Sequence, residues 1–113
     1  MILNLIKSRI QSGQGYKNLL TAKFDVNYIE NTAIMHTTGL DAQNKEQSKS
    51  APGKIDDAED FTNIVTGQLK GILQYDKINV IYFTMDFKEK KCTAEVYYIK
   101  AGKKLKAIEN IKL

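Results

Sequence analysis

Apolar residues recur at helical spacing in the first dozen positions. Ile2, Leu3, Leu5, Ile6 and Ile10 are separated by Lys7, Ser8 and Arg9. The spacing predicts a short amphipathic helix over 2–12, stopped by Gly13 and Gly15. Residues 20–30 change period. Ala22, Phe24, Val26 and Tyr28 alternate with Thr21, Lys23, Asp25 and Asn27, as in a strand with one wet face. A turn at Glu30-Asn31-Thr32 and a second strand from Ala33 to Thr38, ended by Gly39, complete a hairpin.

Residues 40–55 contain almost nothing to bury and carry the only proline, Pro52. They are expected to form a mobile surface loop. Asp56 then reads as a helix N-cap, with Glu59 three residues on as in a capping box. Ala58, Phe61, Ile64, Val65, Leu69, Ile72 and Leu73 form the apolar stripe of that helix. Gly67 and Gly71 interrupt it, which fits either close approach to a neighbouring element or tolerated drift.

The strongest strand is 78–87. Ile81, Phe83, Met85 and Phe87 share one face, with Ile78, Val80 and Tyr82 on the other, so a central position is expected. Cys92, Ala94, Val96 and Tyr98 alternate with Thr93, Glu95, Tyr97 and Ile99 in the next strand. A weaker last strand turns Leu105, Ala107, Ile111 and Leu113 inward. No internal repeat is visible. The expected fold is α+β, in the order α-β-β-α-β-β-β, with an antiparallel sheet of about five strands and the helices on one face. A chain of 113 residues makes one domain, spanning 1–113.

Composition adds exclusions. No apolar stretch reaches the about 18 residues of a membrane span, and the N-terminus lacks a basic leader. The lone Cys92 excludes an internal disulfide. Together these point to a cytoplasmic protein with no membrane partner. One histidine, His36, and one cysteine are too few for a Cys/His zinc site within one chain. The acidic run 56–60 reads as a helix start and lacks the pattern of a calcium loop. Cys92 with His36 is a possible nucleophile–base pair, but the phase of Cys92 with Ala94 and Val96 argues for burial. Asp86 and Glu95 are the other carboxylates able to face each other across a hairpin. Gly13-Gln14-Gly15 follows no strand, so it is no phosphate loop. No catalytic residues, metal or cofactor are therefore expected, and the chain reads as a non-enzyme.

The net charge of +4 is uneven. Residues 1–76 hold 8 Lys/Arg and 9 Asp/Glu, and residues 77–113 hold 9 Lys and 4 Asp/Glu. A basic C-terminal half suits an acidic protein, nucleic acid or an anionic surface, or simply a lysine-guarded sheet edge. Candidate partner-binding residues are Tyr82 and Tyr97 with Lys88, Lys90, Lys91, Lys100, Lys103 and Lys104. Tyr97 is expected to be the most exposed tyrosine. Such residues suit a protein interface, and aromatics interleaved with lysines also suit single-stranded nucleic acid.

Met85-Asp86-Phe87 followed by Glu95-Val96-Tyr97-Tyr98-Ile99 resembles the final hairpin of the YezG-type immunity proteins of bacterial polymorphic toxins, over roughly residues 56–100. The chain departs from that family in having no tryptophan and a basic balance. That resemblance implies a cytoplasmic bacterial inhibitor that masks a protein partner through its C-terminal sheet. The expected element order also resembles that of roadblock-type domains, which implies a homodimer scaffolding a small GTPase.

Overall fold

A computed structural model describes residues 2–112, Ile2 by its backbone alone. The chain runs α1 (Ile2–Gln14), β1 (Asn18–Asn27), β2 (Thr32–Leu40), β3 (Glu46–Lys54), a 3₁₀ turn (Ile55–Ala58), α2 (Glu59–Leu73), β4 (Lys77–Asp86), β5 (Lys91–Lys100) and β6 (Lys103–Ile111). One antiparallel sheet has the order β3-β2-β1-β4-β5-β6, so the fold is α+β with six strands. Both helices cover the same sheet face. Beneath them lie Leu19, Ala22, Phe24 and Val26 from β1 and Ile81, Phe83 and Met85 from β4, with Cys92, Ala94 and Val96 from β5, all buried. Leu3, Ile6, Ile10, Val65 and Leu69 meet them from the helices. Leu5 and Ile72, expected in the stripes, are exposed.

The sixth strand lies in the segment expected to be a loop. β3 pairs with β2 from Thr32↔Lys54 to Leu40↔Glu46. Edge pairing needs backbone groups only, and no residue of this strand is fully buried, so its sequence shows no apolar alternation. Its hairpin is organised by Asp41, whose carboxylate accepts from the amides of Gln43 (2.8 Å) and Lys45 (3.0 Å) and from Gln47 Nε2 (3.1 Å). These donors hold the Asp41 carboxyl below its ordinary pKa, the Lys45 amide most. The side-chain cap belongs to the 3₁₀ turn, where Asp57 rather than Asp56 accepts from the Lys54 amide at 2.9 Å, and α2 itself, with Ala58 at its N-cap, has no side-chain cap. In β6, Leu105 is 40% exposed and Ile111 is buried. The inward placement expected of Leu113 falls outside the described residues.

A repeat invisible in the sequence is plain in three dimensions. Each half is a helix followed by a three-stranded meander, and β1 pairs antiparallel with β4 at the centre. A shift of 59 carries the first half onto the second, as from Phe24 to Phe83. These two residues face each other across the central pair, their rings stacked at 4.8 Å. The same shift relates the bulge between Leu19 and Thr21 to that between Ile78 and Val80. It relates the Tyr28 N–H donating to Asn79 O (2.9 Å) to the Phe87 N–H donating to Leu20 O (3.0 Å). It also relates two identical turns. Asn27 Oδ1 accepts from the amides of Ile29 and Glu30, and Asp86 Oδ1 from those of Lys88 and Glu89. Both turns close on a left-handed residue, Asn31 (φ 58°) and Lys90 (φ 56°). The bulge at Asn79 explains why Ile78, expected on the outer face with Val80, is buried instead.

Candidate functional site

The face of the sheet opposite the helices is uncovered. Its residues are set by strand register. One row runs Ile108, Glu95, Tyr82, Asp25, Ile34 and Pro52, and its neighbour Lys106, Tyr97, Val80, Asn27, Thr32 and Lys54. Tyr82 and Tyr97 meet edge to face with ring centroids 6.1 Å apart. Tyr82 is the more exposed of the two, at 36%, whereas Tyr97 is half-buried. The Tyr97 hydroxyl donates to Glu95 Oε1 at 2.9 Å, and the same oxygen takes the Lys106 ammonium at 2.9 Å. The Lys106 contact, then the Tyr97 hydroxyl, lowers the Glu95 pKa, and Glu95 in turn raises that of Lys106. Ammonium groups also sit over the tyrosine faces, Lys23 over Tyr82 and Lys106 over Tyr97, each 5.6 Å from the ring centre.

Beside this pair, at the end of the sheet carrying the β5–β6 turn, a groove of about 450 Å³ opens. It is lined by Ile29, Asn79, Val80, Tyr82, Tyr97, Tyr98, Leu105, Lys104 and Lys106, and by no carboxylate. Of the sequence-predicted binding residues, Tyr82, Tyr97 and Lys104 meet here. Lys103 lies at the same end, and Lys100 donates to Leu73 O at 3.1 Å. Lys88, Lys90 and Lys91 occupy the opposite end, since they flank the β4–β5 turn. Ten strand residues, about 30 Å, separate the two lysine groups.

The repeat shows that the fold does not dictate this groove. The positions equivalent to Val80, Tyr82 and Tyr97 are Thr21, Lys23 and Thr38. There the Thr21 and Thr38 hydroxyls simply bond each other at 2.6 Å. One half of a symmetric architecture carries an apolar, aromatic groove where the other is polar.

The remaining candidate chemistry separates. Cys92 lies on the helix side of the sheet, buried, its thiol pushed up to about 12 by burial. His36 lies on the open side, paired with Lys23 and Ser50, so the two do not form a nucleophile–base pair. Asp86 holds its own turn while Glu95 binds Lys106, and the two carboxylates do not converge. Among the described residues no three His, Cys, Asp or Glu side chains gather as for a metal.

Sequence reasoning missed one constellation, because its third member lies in the segment expected to be a loop. His36 bridges Asp25 and Ser50 across three strands, with Nε2 2.8 Å from Asp25 Oδ2 and Nδ1 2.8 Å from Ser50 Oγ. The ring is used in the reverse sense of a serine-hydrolase triad, where Nε2 serves the serine and Nδ1 the carboxylate. Ser50 is exposed on the edge strand. The arrangement works as a staple fastening polar β3 to β1. The other Asp25 oxygen accepts no hydrogen bond and has the Lys23 ammonium at 3.7 Å.

No helix among the described residues is long and apolar enough to cross a membrane. No family model, curated protein or solved structure matches the chain.

Proposed function

We propose that the chain is a non-catalytic binding module that masks a protein partner through the open face of β4, β5 and β6. One observation carries this reading. An apolar groove built around Tyr82 and Tyr97 stays uncovered, and the equivalent place in the other half of the same fold is polar. Tyrosines on an open sheet face with aliphatic neighbours and flanking lysines have the composition of an interface core and its rim. The mode of action is steric, by covering a partner's working surface, as an inhibitor, immunity protein or adaptor does.

The test is site-specific photo-crosslinking in the cells that make the protein, with the photoreactive residue at position 97 or at its counterpart, 38. A discrete partner band from 97, absent from 38 and lost when Leu105→Asp is added, is the expected result. Equal labelling from both positions, or none from either, removes the reading.

A further inference from the structure

We infer that the groove beside Tyr82 and Tyr97 receives an acidic protein segment, one that presents an apolar or aromatic side chain flanked by carboxylates. This rests on the protein-binding reading above and specifies its partner. The floor supplied by Val80, Tyr82 and Tyr97 offers apolar contact and ring edges. Lys104 and Lys106 stand at its rim, and no carboxylate lines it. Lys106 is already neutralised by Glu95, while Lys104 makes no ion pair among the described residues and is the cation left for a ligand. Lys77 and Lys103 add positive charge at the same end of the sheet, since Lys77 and Lys104 both pair with Ile99.

The same geometry disfavours the other occupants. A nucleic-acid strand needs a cationic track along its backbone. Here the lysine-rich turns lie at opposite ends of the sheet, and Asp25 and Glu95 stand in the row between them. A second copy docking by the same face would bring two lysine-rimmed grooves into one interface, and no carboxylate lines the groove to meet them.

The experiment uses the full chain and a fluorescent Asp/Glu peptide with one central Phe, followed by anisotropy. Expected is saturable binding that weakens as salt rises. Lys104→Glu and Tyr97→Ser should each weaken it by about tenfold or more, as truncation of a central contact does. Thr38→Ser, at the equivalent polar place, should leave it unchanged. A Lys-for-Asp/Glu counterpart peptide and oligothymidylate should not bind. Lys104 is an exposed rim position, so its variant tests the idea even where Tyr97→Ser perturbs the fold.

Oligothymidylate binding that is lost in Lys104→Glu would assign the groove to nucleic acid and overturn the inference. A dimer that dissociates in the same variant would assign it to self-association. Peptide binding indifferent to both variants would place the acidic docking elsewhere. If crosslinking at 97 captures a partner while the acidic peptide fails to compete, the partner class falls and the binding reading stands. If neither signal is seen, both fall.

Discussion

Cys92 and Tyr16 show how single side chains are governed by what lies over them. The Cys92 thiol, ordinarily ionising at 9.0, is pushed to about 12 because the helices exclude water from it. The folded chain therefore keeps a proton that the unfolded chain releases, so stability is full below about pH 9 and falls from there toward 12. Tyr28 and Tyr75, also raised by burial, add to the loss above their ordinary value of 10.0. Urea midpoints measured from pH 8 to 11 should decline with pH, and Cys92→Ala should flatten the part of the decline that precedes tyrosine ionisation. Iodoacetamide at pH 8 should label Cys92 only after unfolding. Burial of this cysteine was legible from its phase with Ala94 and Val96. The role of Gly39 was not. A Cβ there would lie 2.7 Å from the Tyr16 ring, a long-range contact with no local signature. At the equivalent place in the second half stands Tyr98, and Tyr75, the counterpart of Tyr16, is only half-buried.

At the scale of elements, α2 resolves an open alternative and β3 departs from expectation. The α2 glycines fitted either close packing or tolerated drift, and a Cβ at Gly67 or Gly71 would meet nothing within 4 Å, as drift requires. Both positions are exposed, so each glycine costs helix stability without a packing return. Gly67→Ala and Gly71→Ala should each raise stability by about 0.5–1 kcal/mol, read as a higher urea midpoint at constant slope. β3 was illegible because period-two patterning records burial, and this strand is only partly covered, at Ala51 and Gly53. It is held by its ladder to β2, by Asp41 in the turn, and by the His36 bridge from Ser50 to Asp25. Removing the bridge with Ser50→Ala should cost about 0.5–1.5 kcal/mol locally. The sign of that change is a rise in amide exchange across 46–54, with β4 and β5 unaffected. Uniform acceleration over the whole sheet would show that β3 is not an independent unit. The β4–β5 hairpin, by contrast, was legible except at the Asn79 bulge, because it is buried on one face and alternates from Val80 onward.

For the whole molecule, the layout with both helices on one sheet face was legible from the apolar stripes, and so was the placement of Tyr82 and Tyr97 on neighbouring strands. Two things could not be read. One is the position of the lysines, since turns at opposite ends of a strand are adjacent in sequence and far apart in space. The other is the twofold arrangement, which leaves identity at only a few paired positions such as Tyr16 with Tyr75 and Phe24 with Phe83. Elsewhere the halves share geometry without sharing residues. The third strand also departs from the element order on which the roadblock resemblance rested.

That arrangement bears on how the polypeptide is threaded. Only the short spacer Ile55–Ala58 connects the two helix-plus-meander units. In a twofold molecule its counterpart is the gap from the end of β6 to the start of α1. Fusing the present C-terminus to the present N-terminus through a linker of about four residues, and reopening the chain within 55–58, should therefore yield a circular permutant with the same circular-dichroism spectrum and cooperative melting. The order in which the halves are synthesised would then be a matter of history, with the folded object indifferent to it.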